Sequence, residues 1–165
     1  MILHAGLIAR RVGGLWRGAL IEGASGDGKS DLALRALDAG FRLVADDRVL
    51  VWVSGGALYG RAPEPLTGLI EARGLGVLAE PPIPFAAIVL SVRCEDASAT
   101  LERLPEPETV HIAGIAVPRL RLRAFEDSAP AKMRRALDHL GATQQQAYQA
   151  SPRGLRGRGG IGESA

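Results

Sequence analysis

One stretch of the sequence decides the fold: Gly23-Ala24-Ser25-Gly26-Asp27-Gly28-Lys29-Ser30. It fits the pattern G-x-x-x-x-G-K-[ST] at every specified position, which is typical of a loop whose backbone N–H groups surround phosphate oxygens. In such a loop the lysine reaches the β- and γ-phosphates of a nucleotide, and the hydroxyl that follows is a ligand of Mg²⁺. The sequence therefore predicts that Gly23–Ser30 binds ATP phosphates with Mg²⁺, with Lys29 and Ser30 in these roles.

The segments around the loop predict the order strand, loop, helix, strand. Leu15–Glu22 predicts a strand that runs into the loop, and Lys29–Ala39 predicts a helix because its apolar residues recur at helical spacing on one face. Gly40 stands where helices commonly end, and Phe41–Ala45 predicts a short buried strand. In a strand–helix–strand unit both strands run the same way, so their carboxyl ends meet at one edge of the sheet, where α/β proteins bind ligands.

Apolar runs elsewhere complete a predicted α/β domain. Ile2–Ala9 and Leu15–Glu22 predict an N-terminal β-hairpin that turns at Gly13-Gly14. Further strands are predicted at Val49–Val53, around Leu58, at Phe85–Val92 and, as one or two strands, within Val110–Ala124. Gly68–Glu80 predicts a helical turn that ends as a loop, and Ala131–Ala150 predicts a helix. The predicted fold class is α/β: a P-loop-containing domain with a mixed sheet, an N-terminal β-hairpin leading into the phosphate loop, and a C-terminal helix.

Length and composition indicate one domain and exclude several function classes. The 165 residues predict a catalytic domain over 1–150 and a flexible basic tail over 151–165. A net charge of +2 gives a weak field, and aromatic residues make up only 4%, so a nucleic-acid partner and base-stacking platforms are not indicated. The single cysteine, Cys94, is interpreted as a strand-end residue and indicates a reducing cytoplasm. No apolar stretch reaches the length that spans a membrane.

Two acids and one histidine are expected beside the phosphate loop. Asp46 and Asp47 directly follow the predicted strand Phe41–Ala45, so they emerge at the edge that carries the loop. One acid there can serve the metal, and the other can take a proton from an attacking hydroxyl. If the hairpin turns at Gly13-Gly14, paired residues have numbers that add up to about 27, and His4 then faces Gly23. A histidine in that position can hydrogen-bond an aspartate.

Three blocks in this order resemble the catalytic domain of HPr kinase/phosphorylase. They are the phosphate loop, Leu43-Val44-Ala45-Asp46-Asp47-Arg48-Val49 and Ile70-Glu71-Ala72-Arg73-Gly74-Leu75-Gly76. The resemblance is to a short form without the N-terminal domain of longer members. It implies an ATP- and Mg²⁺-dependent kinase that phosphorylates a serine of an HPr-type phosphocarrier protein of the bacterial phosphotransferase system. It also implies removal of that phosphate by inorganic phosphate with release of pyrophosphate, and a hexameric assembly.

The resemblance also implies roles for individual residues. Asp46 is implied as the proton acceptor in phosphorylation and the donor in the reverse step, with His4 assisting it and Lys29 stabilising the phosphoryl group in transfer. Mg²⁺ is implied to be held by Ser30 and Glu71, and the assignment of Asp46 to proton transfer leaves Asp47 to the metal. Two further sets are implied, Arg103 at the active site and, in a loop linked to dephosphorylation, Pro118 and Arg119.

The segment Glu71–Gly76 is predicted to close over the phosphate site. Gly74 and Gly76 give the backbone freedom to approach a ligand closely, and Arg73 can supply a charge for a phosphate or an acceptor. Two other functions stay open on the residues alone: a P-loop kinase of a small metabolite, and a nucleotide-dependent regulatory binding module without phosphotransfer. The complete set of Lys29, Ser30, two aspartates and His4 favours phosphotransfer over the second of these.

Overall fold

A nine-stranded mixed sheet forms the centre of the computed structural model, which describes residues 1–140. In chain order the elements are β1 (Ile2–Leu3), β2 (Gly6–Val12), β3 (Leu15–Glu22), α1 (Lys29–Asp38), β4 (Arg42–Ala45), β5 (Val49–Ser54), β6 (Ala57–Arg61), a single 3₁₀ turn (Glu64–Leu66), β7 (Leu69–Ala72), β8 (Gly76–Ala79), β9 (Ala86–Cys94), β10 (Glu108–Ile112), β11 (Ile115–Leu122) and α2 (Ala129–His139). Strands β7 and β8 form a separate two-stranded sheet. The predicted fold class is confirmed.

The order of the strands places the phosphate loop at one edge of the sheet. The main path runs β1-β5-β6-β9-β3-β2-β4, and β11 pairs with the second half of β9 and carries β10 on its outer side. Strands β3, β9 and β11 are parallel to one another, whereas β2 is antiparallel to both β3 and β4. Hence β3 and β4 run in the same direction, as predicted, although β2 lies between them. Their carboxyl ends share one edge with those of β9 and β11.

The N-terminal hairpin has the predicted turn and register. Val12 pairs with Leu15 and Gly6 with Ile21, so the numbers of paired residues add up to 27 throughout. Gly13 and Gly14 have φ of 58° and 80°, the left-handed pair that a tight two-residue hairpin turn requires and that glycine adopts without strain. The predicted strand Ile2–Ala9 is divided by a bend after Leu3 into β1 and β2, and β2 continues to Val12.

Two aliphatic clusters on the two faces of the sheet stabilise the fold. Alternation along the hairpin sends Ile8 and Ile21 to one face, where they pack with both helices, and Leu7 and Leu20 to the other, where they pack with β5, β6 and β11. The largest fully buried side chains are all Leu, Ile or Met. A core built from aliphatic residues is what a chain with few aromatic residues requires, because apolar area removed from water drives folding.

The structure corrects the prediction for Gly68–Glu80. A helical turn ending as a loop was expected, but β7 and β8 form an antiparallel hairpin with Glu71 opposite Val77. Ile70 and Ala72 are buried, while Glu71 between them is exposed, which is the two-residue alternation of a strand. Gly74 and Gly76, with φ of 92° and 110°, form the tip. These glycines interrupt the apolar pattern, so the sequence does not indicate the second strand.

The loop that the resemblance implies around Pro118 and Arg119 is also not found. Both residues lie inside β11, where Pro118 is opposite Thr109 and Arg119 opposite Glu108 in the β10 pairing. The helix α2 begins two residues before its predicted start, with Ala129, Met133 and Leu137 buried. The rest of the predicted helix, the domain boundary at residue 150 and the tail 151–165 lie outside the described residues. Within residues 1–140 no helix is long and apolar enough to cross a membrane.

Candidate active site

The phosphate loop connects the carboxyl end of β3 to the first turn of α1. The ammonium of Lys29 is folded back over the loop, where it donates to the carbonyl oxygens of Gly23 at 2.9 Å and Ala24 at 3.1 Å. The Asp27 carboxylate accepts from the Ala24 N–H at 2.8 Å. The residue before α1 is Gly28, which gives no side-chain cap, so the amino end of the helix offers its N–H groups and positive dipole to an anion.

Two glycines of the loop are required by close contacts. A Cβ on Gly23 would lie 3.0 Å from the Cβ of Cys94 and 3.1 Å from its carbonyl oxygen. A Cβ on Gly28 would lie 2.8 Å from the ring Cζ of Phe125, and its φ of 88° is in the left-handed region. The packing against Cys94 and Phe125 therefore explains why the loop needs glycine at both positions. Burial raises the pKa of the Cys94 thiol to about 12, so this residue is a protonated core side chain rather than a nucleophile.

Asp46 is the buried acid of the site. It is 8% exposed, and its two carboxylate oxygens accept from the Ser30 hydroxyl at 2.8 Å and from the Glu71 backbone N–H at 2.9 Å. The first bond joins the carboxyl end of β4 to the first turn of α1, and the second joins both to the β7–β8 hairpin. Asp46 thus orients the hydroxyl that follows the loop lysine and holds the hairpin at the edge of the site.

Asp47 is the exposed acid of the site, and it is bonded to His4. The Nε2 atom of His4 lies 2.6 Å from the Asp47 Oδ1 atom, and their side chains are 58% and 53% exposed. The backbone N–H of Ala5 also donates to the Asp47 carbonyl at 3.1 Å, which fixes the bend between β1 and β2 over the β4–β5 turn. Asp47 adopts a φ of 66°, a left-handed conformation that aspartate tolerates better than most residues.

The structure therefore separates the two acids by their partners. The predicted register of the hairpin is confirmed from Gly6 to the turn. The bend just before Gly6 places His4 at the β4–β5 turn. His4 hydrogen-bonds Asp47, whereas the sequence-based assignment gave it to Asp46. The difference arises because β2 lies between β3 and β4, so the residues before β2 reach the turn after β4 rather than the phosphate loop itself.

The hairpin brings Glu71 to the site through its backbone. Glu71 and Arg73 are exposed, and within residues 1–140 neither side chain makes a hydrogen bond or an ion pair. Glu71 and Arg73 therefore do not form an ion pair with each other. Arg73 lies at the tip of the hairpin, next to Gly74, with its charge unneutralised by a neighbour in the described part of the chain.

The remaining predicted residues are not gathered at the phosphate loop. Arg103 is exposed in the segment between β9 and β10, and it makes no hydrogen bond or ion pair with any described residue. Arg119 donates to Glu22 at 2.9 Å and to the Ser91 hydroxyl at 3.1 Å, and Ser91 donates to Glu22 at 2.6 Å. These three side chains link β3, β9 and β11 directly below the loop. Arg119 is thereby engaged in the sheet.

The side chains present fit a magnesium ion held mainly by a nucleotide. No group of three or more His, Cys, Asp or Glu residues that could hold a metal occurs in residues 1–140. Mg²⁺, however, usually keeps several waters and takes one or two protein ligands together with phosphate oxygens. The Ser30 hydroxyl, oriented by the buried Asp46, and the unpaired Glu71 carboxylate suit such a site.

Three residues of this region were missed from the sequence. Glu22 ends one apolar run that predicts a strand, and Ser91 lies within another, so a polar residue in each run is the sequence signal for their partly buried contact. Phe125 follows a predicted strand, and nothing in the local sequence indicates that its ring reaches Gly28.

Comparison with known proteins identifies the family that this chain resembles. Residues 4–82 match the model of the HPr serine kinase C-terminal domain. HPr kinase/phosphorylases of Streptococcus pneumoniae, from strains Hungary19A-6 and ATCC BAA-255 / R6, are 38% identical to the chain over 116 residues. That alignment covers 64% of this chain and 37% of each relative, so the chain spans little more than a third of the curated relatives it matches.

A solved structure shows the same fold. The HPr(Ser) kinase/phosphatase from Coxiella burnetii superimposes with a TM-score of 0.70 and 24% identity, over 84% of this chain and 94% of that one. The segment that matches the family model contains His4, the phosphate loop, both aspartates and the β7–β8 hairpin. The resemblance to HPr kinase/phosphorylase that the sequence motifs indicate is therefore confirmed.

Proposed function

We propose that this relative of HPr kinase/phosphorylase is an ATP-dependent protein serine kinase that phosphorylates an HPr-type phosphocarrier protein. The observation that carries the proposal is the arrangement at one edge of the sheet. The phosphate loop, the Ser30–Asp46 pair and the His4–Asp47 pair lie there together. A phosphoryl donor, a metal and a proton acceptor can thus be held next to one another, which phosphoryl transfer requires.

In the proposed complex the phosphate loop binds the β- and γ-phosphates. The backbone N–H groups of Gly23–Ser30 contact phosphate oxygens, and the Lys29 ammonium leaves the carbonyls of Gly23 and Ala24 for the γ-phosphate. Ser30 and Glu71 would hold Mg²⁺, which when bound neutralises charge on the phosphate oxygens. Asp46 keeps the Ser30 hydroxyl oriented through its 2.8 Å bond.

We assign the proton acceptor to Asp47 instead of Asp46, and this revises the assignment made from the sequence. Asp46 is buried, and its two oxygens are already bonded, whereas Asp47 is exposed and is oriented by His4. The acceptor serine hydroxyl loses its proton to Asp47 as its oxygen attacks the γ-phosphorus. The bond from that phosphorus to the bridging oxygen breaks, and ADP leaves. In the reverse direction the protonated Asp47 returns the proton to the serine oxygen while inorganic phosphate attacks, which yields pyrophosphate.

The openness of the site favours a protein acceptor over a small metabolite. Both members of the His4–Asp47 pair are more than half exposed. A metabolite kinase needs to enclose its acceptor to exclude water, whereas a protein acceptor supplies its own cover when it docks. A hexamer and a cytoplasmic location are further parts of the proposal, and they rest on the resemblance and on the single cysteine.

The acceptor class is tested by transfer from ATP labelled at the γ-phosphate. The protein is incubated with ATP, Mg²⁺ and a purified HPr-type phosphocarrier protein from the same organism, and mass spectrometry locates the modified residue. We expect one phosphoryl group on a serine of the carrier and none with Lys29→Ala. If label enters only small metabolites, the protein is a metabolite kinase and the proposal is wrong. If ATP binds without any transfer, the regulatory module is correct.

A further inference from the structure

An exposed phenylalanine lies against the phosphate loop. Phe125 follows the carboxyl end of β11 and is 63% exposed, yet its ring is so close to Gly28 that a Cβ there would lie 2.8 Å from the ring Cζ and 3.0 Å from a second ring carbon. A single exposed apolar side chain is common and uninformative in itself, but this ring lies against a glycine of the predicted phosphate loop. The position of Phe125 therefore calls for a functional explanation.

The backbone on both sides of Phe125 is fixed to α1. The Arg35 guanidinium donates to the carbonyl oxygens of Ala124 and, at 3.2 Å, of Glu126. Ala124 itself is 1% exposed and belongs to the core, and the Glu126 N–H closes a turn by donating to the carbonyl oxygen of Arg123 at 3.2 Å. These contacts hold the backbone on both sides of Phe125 and leave its ring at the surface beside the loop.

The ring lies on the side of the loop opposite the proposed proton acceptor. From β3 the sheet continues through β2 to β4 in one direction and through β9 to β11 in the other. The His4–Asp47 pair belongs to the first side and Phe125 to the second. If the γ-phosphate faces the proton acceptor, the nucleoside must extend away from it. Because the carboxyl ends of β3, β9 and β11 share an edge, the β11 side is where the nucleoside would emerge.

We propose that Phe125 is the stacking platform for the adenine base of the bound nucleotide. This inference rests on the proposed function, since it takes ATP as the ligand of the phosphate loop. A phenyl face stacks on a purine and contributes affinity without reading its hydrogen-bonding edge. The low aromatic content argues against base stacking when the sequence is read alone, but a single phenylalanine at the right edge is sufficient.

The test compares two ligands that differ only in having a nucleoside. Dissociation constants for Mg-ATP and for inorganic tripolyphosphate with Mg²⁺ are measured by calorimetry on the wild type, Phe125→Ala and Phe125→Tyr. We expect Phe125→Ala to weaken ATP binding about tenfold while tripolyphosphate binding stays unchanged, and Phe125→Tyr to restore ATP binding. Phe85→Ala is the matched control, because Phe85 is 53% exposed but packs with Trp52 and Tyr59.

Each other outcome has one meaning. Unchanged ATP binding in Phe125→Ala overturns the inference and leaves the proposed function intact. Equal weakening of both ligands also overturns it, because Phe125 would then act on the shape of the loop through Gly28 and not on the base. A wild type that binds neither ligand contradicts the proposed function, and with it the inference.

Discussion

Asp46 and Asp47 are neighbours in the chain, but their environments differ. Asp46 is buried and bonded to Ser30 and to the Glu71 N–H, whereas Asp47 is exposed and bonded to His4. A carboxylate that must accept a proton from an entering hydroxyl has to be accessible, and one that orients a metal ligand has to be held still. The two positions meet these separate requirements.

This division predicts different defects for the two asparagine variants. Asp47→Asn should lower the phosphotransfer rate at least about a hundredfold with little change in thermal midpoint, because it removes the proposed proton acceptor from an exposed position. Asp46→Asn should also lower the thermal midpoint, since it disturbs buried hydrogen bonds that contribute about 1–3 kcal/mol. Steady-state rates and thermal unfolding of both variants check this. A fully active Asp47→Asn would return the role of proton acceptor to Asp46.

At the residue scale the sequence predicts identities better than pairings. The loop pattern identifies Lys29 and Ser30, and the position after a strand brings both aspartates to the site. Which aspartate bonds His4 depends on the bend before β2 and on the left-handed φ of Asp47, and neither has a local sequence signal.

Among the elements outside the strand–loop–helix unit, the β7–β8 hairpin is bonded directly to the site. Its inner face packs Ile70 on the helix-covered core, and its Glu71 N–H is bonded to Asp46. Its outer face and tip expose Arg73, Leu75 and Val77. An element held rigidly at its base and exposed at its tip is suited to contact an acceptor or a phosphate.

The tip predicts an effect on rate without an effect on stability. Arg73→Ala should lower the phosphotransfer rate by a factor of at least about ten, because we propose that the Arg73 charge stabilises the transferring group. Arg73 is exposed and has no partner within residues 1–140, so the thermal midpoint should not change. The control is Arg134→Ala, which changes an exposed arginine on α2. The phosphotransfer rate and the thermal midpoint are measured for both variants. An unchanged rate in Arg73→Ala would contradict a role of the hairpin tip in phosphotransfer.

Elements with a strong local pattern are predictable, and elements interrupted by glycine are not. The Gly-Gly turn, β3 and α1 follow from turn chemistry and apolar spacing, and β3 and α1 are found within one residue of their predicted bounds. The strand predicted at Ile2–Ala9 is found instead as β1 and β2, and β2 continues to Val12. The second strand of the β7–β8 hairpin is four residues long and begins at Gly76, so its alternation is too short to detect.

For the whole molecule, the polar cluster below the phosphate loop connects three parallel strands. Glu22, Ser91 and Arg119 come from β3, β9 and β11, and the ion-pair side chains of Glu22 and Arg119 are only 22% and 16% exposed. Glu22 is the residue immediately before the loop. A partly buried ion pair is weak evidence of stability in itself, but the loss of one partner leaves the other charge uncompensated.

That asymmetry predicts the outcome of a mutant series. Arg119→Met should lower the free energy of unfolding by about 3 kcal/mol, and Glu22→Leu combined with Arg119→Met should recover most of it. The control is Arg121→Met on the same strand, whose side chain is 44% exposed and bonded to Glu95 and Glu108, and which should lose less than about 1 kcal/mol. Urea unfolding of the four proteins measures this. Equal losses for Arg119→Met and Arg121→Met would show that the cluster contributes no more to stability than an exposed ion pair.

The order of the strands is the part of the fold that the sequence does not predict. Arg119 and Glu22 are 97 residues apart in the chain, and β9 pairs with β3, β6 and β11 at once. Such pairings depend on how the apolar faces pack in three dimensions, so they leave no pattern within a window of the sequence. Hence Arg119 is predicted from resemblance as part of a loop and is found inside a strand.

The proposed kinase activity is measured as the initial rate of transfer of the terminal phosphoryl group of ATP to a purified HPr-type phosphocarrier protein. The measurement is made with the wild type, Lys29→Ala and Asp47→Asn under identical conditions. We expect phosphorylation of one serine by the wild type and transfer at least about a hundredfold slower by both variants, roughly the contribution of each group to the transition state. Transfer at the wild-type rate by either variant, or no transfer to the carrier by a wild type that binds ATP, would contradict the proposal.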